Sequence, residues 1–370
     1  MDYYTLGNSG LKVSRLALGT MTFGDDWGWG ADDAASRRIF DTYVEAGGNF
    51  FDTADLYTNG ASEQMLGKYI KDAGIRDKAV IATKFSYNAE PGNPNAGGNG
   101  RKNIMRAVEG SLERLGTDYI DLYILHTWDR LTPAEEVMRT MDDLVRQGKV
   151  RHVGLSDVPG WYAARAQTIA EWRGYEPVSA LQLEYSLVER AIEDEFVDFG
   201  TRHGAGIMVW SPLASGLLSG KYKPSTDNAP EGEGRLQAVA GSTNPALDKF
   251  TTRNWAIIGE LEKVAGELDR SMAQVAVNWV ANRPGVASVL VGATKVEQLE
   301  DNLGALDFTL PAELQERLDT VSARDPRFPY SFFTPAIQGM LNGGAAIGEK
   351  PAGYVPDRLI SGEGAGVTGD

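Results

Sequence analysis

The chain has 370 residues, no cysteine, three histidines, and 36 basic against 51 acidic side chains, for a net charge of −15. A hydrophobic share of 42% with 24% charged residues excludes global disorder, and the length suits one large α/β barrel or two ordinary domains. The acidic balance argues against nucleic acid or an anionic membrane as partner, and the missing cysteines exclude disulfides and thiolate metal sites and fit a cytoplasmic location.

The first ten residues, MDYYTLGNSG, lack the basic-then-apolar pattern of a signal peptide. Residues 3–14 read as a hairpin closing the bottom of the fold, with Asn8–Gly10 at its turn. Eight short apolar runs then recur: 15–21, 49–55, 79–85, 120–128, 150–157, 178–186, 206–213 and 286–294. Each ends in small or polar residues, as a buried parallel strand does. Most intervals hold one strand and one helix. The interval from 213 to 286 has room for a further insertion.

The intervening segments carry helical signals. In 102–115, Ile104, Val108, Leu112 and Leu115 share one face, with Met105 beside them. Segment 132–146 opens on Thr132, Pro133 and Glu135, which predicts a capping box with proline at the first helical position, and Gly148 marks its end. Eight strand–helix units predict a (β/α)8 TIM barrel over residues 1–322, with a doubly wound sheet as the alternative. Residues 86–101 and 222–251, rich in Gly, Pro, Asn and Ser, read as long loops after strands 3 and 7. Residues 323–370 read as an extended tail without helical or strand period, placed to fold over the barrel mouth, with a flexible end. No apolar run approaches the ~18 residues of a membrane span.

Chemistry in such barrels collects at the C-terminal strand ends. Those positions hold Asp52 after strand 2, with Tyr57 in the next loop, Lys84 after strand 3 and His126 after strand 4. Singly, each has a plain structural reading: a helix cap, a rim lysine, a core histidine. Neighbouring strands lie ~4.8 Å apart, so three consecutive strand ends bring the set within roughly 10 Å. A lysine ammonium ~4 Å from a phenol contributes ~4 kcal/mol at an effective dielectric near 20, enough to pull a tyrosine from ~10 towards neutrality before Asp52 offsets part of it. Tyr57 then serves as a general acid, and His126 orients a carbonyl oxygen. Proton donation to that oxygen needs hydride delivery to the carbon, which points to a nicotinamide cofactor. With only three histidines a multi-histidine metal site is nearly excluded, so no metal is expected.

These residues resemble the aldo-keto reductase superfamily, in its bacterial and potassium-channel-β-like branch. The motifs are Phe51-Asp52-Thr53-Ala54-Asp55-Leu56-Tyr57, Thr83-Lys84, the strand ending at His126, Gly154-Leu155-Ser156-Asp157, Leu181-Gln182-Leu183-Glu184-Tyr185, Trp210-Ser211-Pro212-Leu213-Ala214 running to Gly220-Lys221-Tyr222, and Gly292-Ala293-Thr294-Lys295 with Gln298-Leu299 and Asn302-Leu303. The resemblance implies NADPH-dependent reduction of an aldehyde or ketone, or the reverse oxidation of an alcohol, with a small-molecule substrate. Catalysis would rest on Asp52, Tyr57, Lys84 and His126. The implied cofactor contacts include Asp52, with Thr20 and Met21 at the nicotinamide ribose. Ser156, Asp157 and Gln182 would meet the carboxamide, and Trp210 would stack on the ring. Ser211, Pro212, Leu213, Ala214 and Lys221 would follow the pyrophosphate, and Gly292, Thr294, Lys295, Gln298, Asp301 and Asn302 the adenosine end.

Two departures qualify this. The family has Asn where Asp157 stands, and a carboxylate cannot donate the amide hydrogen bond. Thr294 and Lys295 replace the usual arginine near the 2′-phosphate, so NADH is the alternative cofactor. Trp27, Trp29, Tyr87 and Trp128, in loops at the same face, together with Tyr57 and His126, are the expected substrate wall. Gly364, Gly366 and Gly369 match a dinucleotide fingerprint but lack the strand before and the helix after it. The sequence has no Tyr-x-x-x-Lys pair of the short-chain dehydrogenase type. His152 and His203 read as structural. The second function class is an NADPH-binding regulatory or scaffold subunit of potassium-channel-β type. A third, a Schiff-base aldolase using Lys84, is opposed by the cofactor-type motifs.

Overall fold

A computed structural model describes residues 1–224, 232, 236, 248–345 and 348. Two short strands, β1 (Tyr3–Thr5) and β2 (Lys12–Ser14), pair antiparallel as the predicted hairpin. The left-handed residue of its turn is Gly7, where a Cβ would lie 2.2 Å from the Gly204 carbonyl oxygen. The hairpin therefore packs against the bottom of the fold.

Eight parallel strands follow: β3 (Leu16–Gly19), β4 (Phe50–Asp52), β5 (Val80–Phe85), β6 (Ile120–Leu125), β7 (Val150–Ser156), β8 (Val178–Glu184), β9 (Gly206–Trp210) and β10 (Val286–Val291). They close into one barrel, with β10 pairing both β9 and β3. Each lies inside one of the eight apolar runs. The (β/α)8 reading holds, and the doubly wound alternative falls.

The first helices between strands are α1 (Asp33–Glu45), α2 (Ala61–Ala73), α3 (Arg101–Leu115), α4 (Ala134–Arg146), α5 (Gly160–Arg173) and α6 (Phe196–His203). Then come α7 (Thr252–Leu268), α8 (Met272–Ala281), α9 (Val296–Leu303) and α10 (Ala312–Ser322). Their apolar faces pack on the outside of the sheet, with Ile104, Val108 and Leu115 of α3 buried there. At α4 the structure corrects the sequence. Helix geometry begins after Pro133 with no side-chain cap, because the Thr132 hydroxyl donates to Asp129 Oδ2 at 2.6 Å and Glu135 pairs with Arg165. Asp129 competes successfully for the hydroxyl that a capping box needs.

The barrel interior is filled by a separate layer of side chains: Leu6 and Val13 from the hairpin region, then Ala17, Phe50, Val80, Ala82, Leu122, Ile124, Ala180, Met208, Ala287 and Leu290. Strand period is two, so the next inward positions above this layer are Asp52, Lys84, His126, Gln182 and Trp210. Register agrees: Asp52 pairs with Ala82, Lys84 with Ile124, Ser156 with Gln182, and Glu184 with Trp210.

Most of the predicted 222–251 loop lies outside the described residues, as do 346–347, 349–370 and the glycines of the terminal fingerprint. The described part of the tail is not without period. It holds a short helix, α11 (Pro335–Leu341), capped by Thr334. The tail is tied to the segment after β8, through Arg324 to Asp194 at 3.0 Å and Tyr330 to Glu195. Among the described residues, no helix is long and apolar enough to cross a membrane.

Candidate active site

Lys84 is fully buried inside the barrel. A charge there is tolerable only when paired and hydrogen-bonded. Its ammonium donates to Asp52 Oδ1 at 2.6 Å, to the Thr53 carbonyl at 2.8 Å and to the Tyr57 hydroxyl at 3.2 Å. All three donor positions of the ammonium are used. The other carboxylate oxygen of Asp52 accepts from Gln182 Nε2 at 2.7 Å. Burial pushes Asp52 up, and Lys84 and Gln182 pull against it, leaving it above the usual carboxylate value. Burial pulls Lys84 down, but Asp52 and Tyr57 outweigh that and hold it above the ordinary amine value. Lys84 therefore keeps its proton near neutral pH.

His126 completes the cluster. Its ring stands edge-on to Tyr57, with centroids 5.8 Å apart, and edge-on to Tyr87 at 5.0 Å. Burial, and then the Lys84 charge, hold it well below the ordinary histidine value, so it is a neutral imidazole near pH 7. Its Nδ1 is buried without a partner among the described residues. The backbone of His126 is fixed by the loop after β5: its N–H bonds to the Phe85 carbonyl and the Ser86 hydroxyl, and Ser86 bonds Asn99. Asn99 in turn bonds the Thr127 carbonyl and Asp129. One function of the long 86–100 loop is thus to seat this histidine.

Tyr57 sits on a turn that costs energy. The next two residues, Thr58 and Asn59, are left-handed (φ 46° and 55°), and Gly60 follows at 91°. A β-branched residue rarely adopts that conformation. Thr58 is fully enclosed, donates to the Phe23 carbonyl at 2.8 Å and accepts from Ser62 N at 3.1 Å. Gly60 must lack a side chain, since a Cβ would meet Arg114 Cδ at 2.7 Å.

The residues expected at the cofactor ring gather on the opposite wall. Asp157, left-handed at φ 46°, accepts from the Trp210 indole Nε1 at 3.1 Å through Oδ1. Ser156 and Gln182 are buried beside it on paired strands. Beyond Trp210 the chain turns through left-handed Ser211, Ala214, Ser215 and Gly216. The Ser211 hydroxyl caps Ser215 N, and a Cβ on Gly216 would meet Lys221 Nζ at 2.7 Å. This glycine-dependent turn with a lysine over it, continuing from a partly exposed indole, fits a dinucleotide with an anionic centre. Pro212 and Leu213 lie within the turn.

Where the adenosine end is expected, Thr294 N and its hydroxyl bond Gln298 Oε1, Lys295 stands at the N-cap position of α9 without a side-chain cap, and Asn302 is buried. Gly292 borders Gly19 and Thr22, and the Thr22 hydroxyl ties this loop to β3 through the Ala293 carbonyl. Asp301 is engaged by the Ser271 hydroxyl at the start of α8. Thr20 is fully enclosed, its hydroxyl held by the Asp52 carbonyl and Ser62, so its side chain belongs to the wall and leaves the half-buried Met21 at the cleft.

Four aromatic residues divide into two groups and one contact. Trp27 and Trp29 pack on each other at 5.6 Å, and Trp128 joins Trp161 and Tyr162. Tyr87 faces His126 directly. His152 faces Glu176, and His203 lies against Phe199, both away from the cluster. Among the described residues no group of three or more His, Asp or Glu is arranged to hold a metal. Sequence reading missed Thr58, Ser86 and Asn99, for which no motif signals, and missed the Gln182–Asp52 bond.

Residues 15–323 match the Aldo/keto reductase family, and the chain belongs to it. It is 36% identical over 332 residues to an uncharacterized oxidoreductase YrpG of Bacillus subtilis (strain 168), covering 87% of this chain and 96% of that protein. It is 34% identical over 337 residues to a probable voltage-gated potassium channel subunit beta of Oryza sativa subsp. japonica, covering 90% and 100%. It is 34% identical over 340 residues to a protein of Phanerodontia chrysosporium named aryl-alcohol dehydrogenase (NADP(+)), covering 88% and 86%.

Proposed function

We propose that this protein is an NADP(H)-dependent reductase of aldehydes or ketones, working also in reverse on alcohols, in the cytoplasm. The observation that carries the reading is Lys84, whose one ammonium bonds both Asp52 and the Tyr57 hydroxyl beside a neutral His126. When bound, the nicotinamide cofactor supplies the hydride. The chain's own residues do the rest. Tyr57 gives its hydroxyl proton to the carbonyl oxygen, and the Lys84 charge stabilises the phenolate left behind. Asp52 keeps Lys84 in place and cationic. His126, uncharged, orients the carbonyl oxygen by hydrogen bond without competing as the acid. Trp210, held by Asp157, would give the cofactor ring a flat support, with Gln182 and Ser156 to flank it.

Lys295 beside Thr294 supports a 2′-phosphate contact, as a point charge and not a bidentate fork. Tyr87, next to His126, supports an aromatic wall for the substrate, and Trp27, Trp29 and Trp128 frame the same mouth more distantly. The barrel ends by this reading near residue 322, and the chain continues as an extension whose Arg324 and Tyr330 are anchored at Asp194 and Glu195. The potassium-channel-β relatives favour a second reading, a nucleotide-binding subunit with little turnover.

The test is loss of reduced-nicotinamide absorbance with NADPH and an aromatic aldehyde, for wild type and Tyr57→Phe. Turnover that falls at least 100-fold in the variant, with NADPH binding kept, supports the reductase. Equal turnover in both overturns the role of Tyr57. Binding without turnover in wild type turns the reading to the subunit.

A further inference from the structure

We propose that the carboxylate of Asp157 makes this site prefer the oxidised nicotinamide cofactor over the reduced one, shifting the equilibrium on the enzyme towards oxidised cofactor and alcohol, the direction of carbonyl reduction. The inference rests on the reading above, in which Trp210 faces the nicotinamide ring.

Asp157 is placed by its backbone. Its left-handed φ of 46° follows directly on β7, and its carbonyl accepts from Trp128 N at 3.4 Å while Oδ1 accepts from Trp210 Nε1 at 3.1 Å. One residue thus joins both aromatic walls, and its carboxylate stands at the edge of the indole. That carboxylate is not neutralised. Among the described residues no lysine, arginine or histidine lies within ion-pair distance of it. The groups facing it are Glu184 at the end of β8, Lys84 on β5 and Tyr87 in the loop after β5. Lys84 is committed to Asp52, and Glu184 is itself paired with Lys249 at 2.8 Å.

Asp157 keeps contact with solvent at the cleft although the protein packs densely around its carboxylate, and a bound cofactor would cover it. The oxidised nicotinamide ring carries a positive charge and the reduced ring carries none. A fixed carboxylate beside the ring therefore attracts one form only, and attraction grows as water is excluded. The trade is specific to charge. Asparagine would keep an oxygen to accept from Trp210 and would remove only the negative charge. Burial, with Glu184 adding and Trp210 opposing, pushes Asp157 up to about 6, so the preference belongs to neutral pH and fades below it.

The test is separate titration of NADP+ and NADPH by tryptophan fluorescence, at pH 7.5 and pH 5, for wild type, Asp157→Asn and Asp157→Ser. The expected result at pH 7.5 is a ratio of the two dissociation constants shifted about tenfold against NADP+ in both variants, about 1.4 kcal/mol. At pH 5 the wild type moves towards the variants. Equal weakening of both nucleotides overturns the inference and leaves the reductase reading standing. Failure of wild type to bind either nucleotide overturns both.

Discussion

Gln182 reaches across the barrel from β8 to β4 and donates to Asp52 Oδ2 at 2.7 Å, while Lys84 holds Oδ1 at 2.6 Å. Each carboxylate oxygen thus has one donor, and the geometry of the Lys84–Tyr57 contact depends on both. Hydrogen bonds to a charged group contribute about 1.5–3 kcal/mol. Gln182→Leu is expected to lower kcat/KM for carbonyl reduction by roughly 10- to 100-fold, in line with that range. Gln182→Glu is expected to be worse, because it sets a second carboxylate against Asp52. A pH–rate profile separates this from lost cofactor affinity: the acid limb moves only if Gln182 acts through Asp52.

The buried Lys84–Asp52 pair makes a second prediction about stability. Removing one partner of a buried pair costs about 3–5 kcal/mol, because the other charge is left uncompensated. Lys84→Met alone should therefore abolish turnover and lower the urea midpoint substantially. Lys84→Met combined with Asp52→Leu should recover much of the stability and none of the activity. A double variant no more stable than Lys84→Met would show that the pair is not what holds the site together.

Much of this site was legible because strand ends are local. Asp52, Lys84 and His126 each close an apolar run, and period two alone points them inward. The hairpin, the eight strands and the face of α3 follow from the same short-range pattern. The Gln182–Asp52 bond was not legible, since its partners are 130 residues apart and meet only once the barrel closes. The Thr132 cap was misread because Asp129, three residues earlier, takes its hydroxyl. The turn after Tyr57 was invisible for a different reason: threonine is a poor choice for a left-handed position, so propensity argues against what tertiary contacts impose.

Thr58 shows how that turn is held. Its hydroxyl bonds Phe23 on the loop that carries Trp27 and Trp29, and it caps Ser62 at the start of α2. Thr58→Ala leaves two buried backbone groups short of a partner, at a cost of about 1–3 kcal/mol. It should lower the urea midpoint and reduce kcat, since Tyr57 is the preceding residue. Thr58→Ser keeps the hydroxyl and should restore both. If Thr58→Ala and Thr58→Ser behave alike, the hydroxyl does not position Tyr57.

Asp55 supplies the pH dependence of the fold. It is buried beside Glu63, which binds Thr83 at 2.6 Å and Arg114 at 2.6 Å, and its own Oδ1 has no partner among the described residues. Burial, and then the Glu63 charge, push Asp55 up to about 7, with Arg114 opposing. The folded value lies above the unfolded one near 3.8. Between those values the folded state keeps a proton that the unfolded chain has lost. Stability from this group is therefore present at acid pH and is lost as pH rises to about 7. A shift of that size corresponds to about 4 kcal/mol, an order of magnitude only. Asp55→Asn holds no proton to lose. It should be more stable than wild type at pH 8 by a few kcal/mol, and the gap should narrow towards pH 4.5. Urea unfolding of both proteins at the two pH values reads this directly, because every other titrating group is common to the pair. A gap of the same size at both values would mean that Asp55 is ionised in the folded protein throughout, with Arg114 as its effective partner.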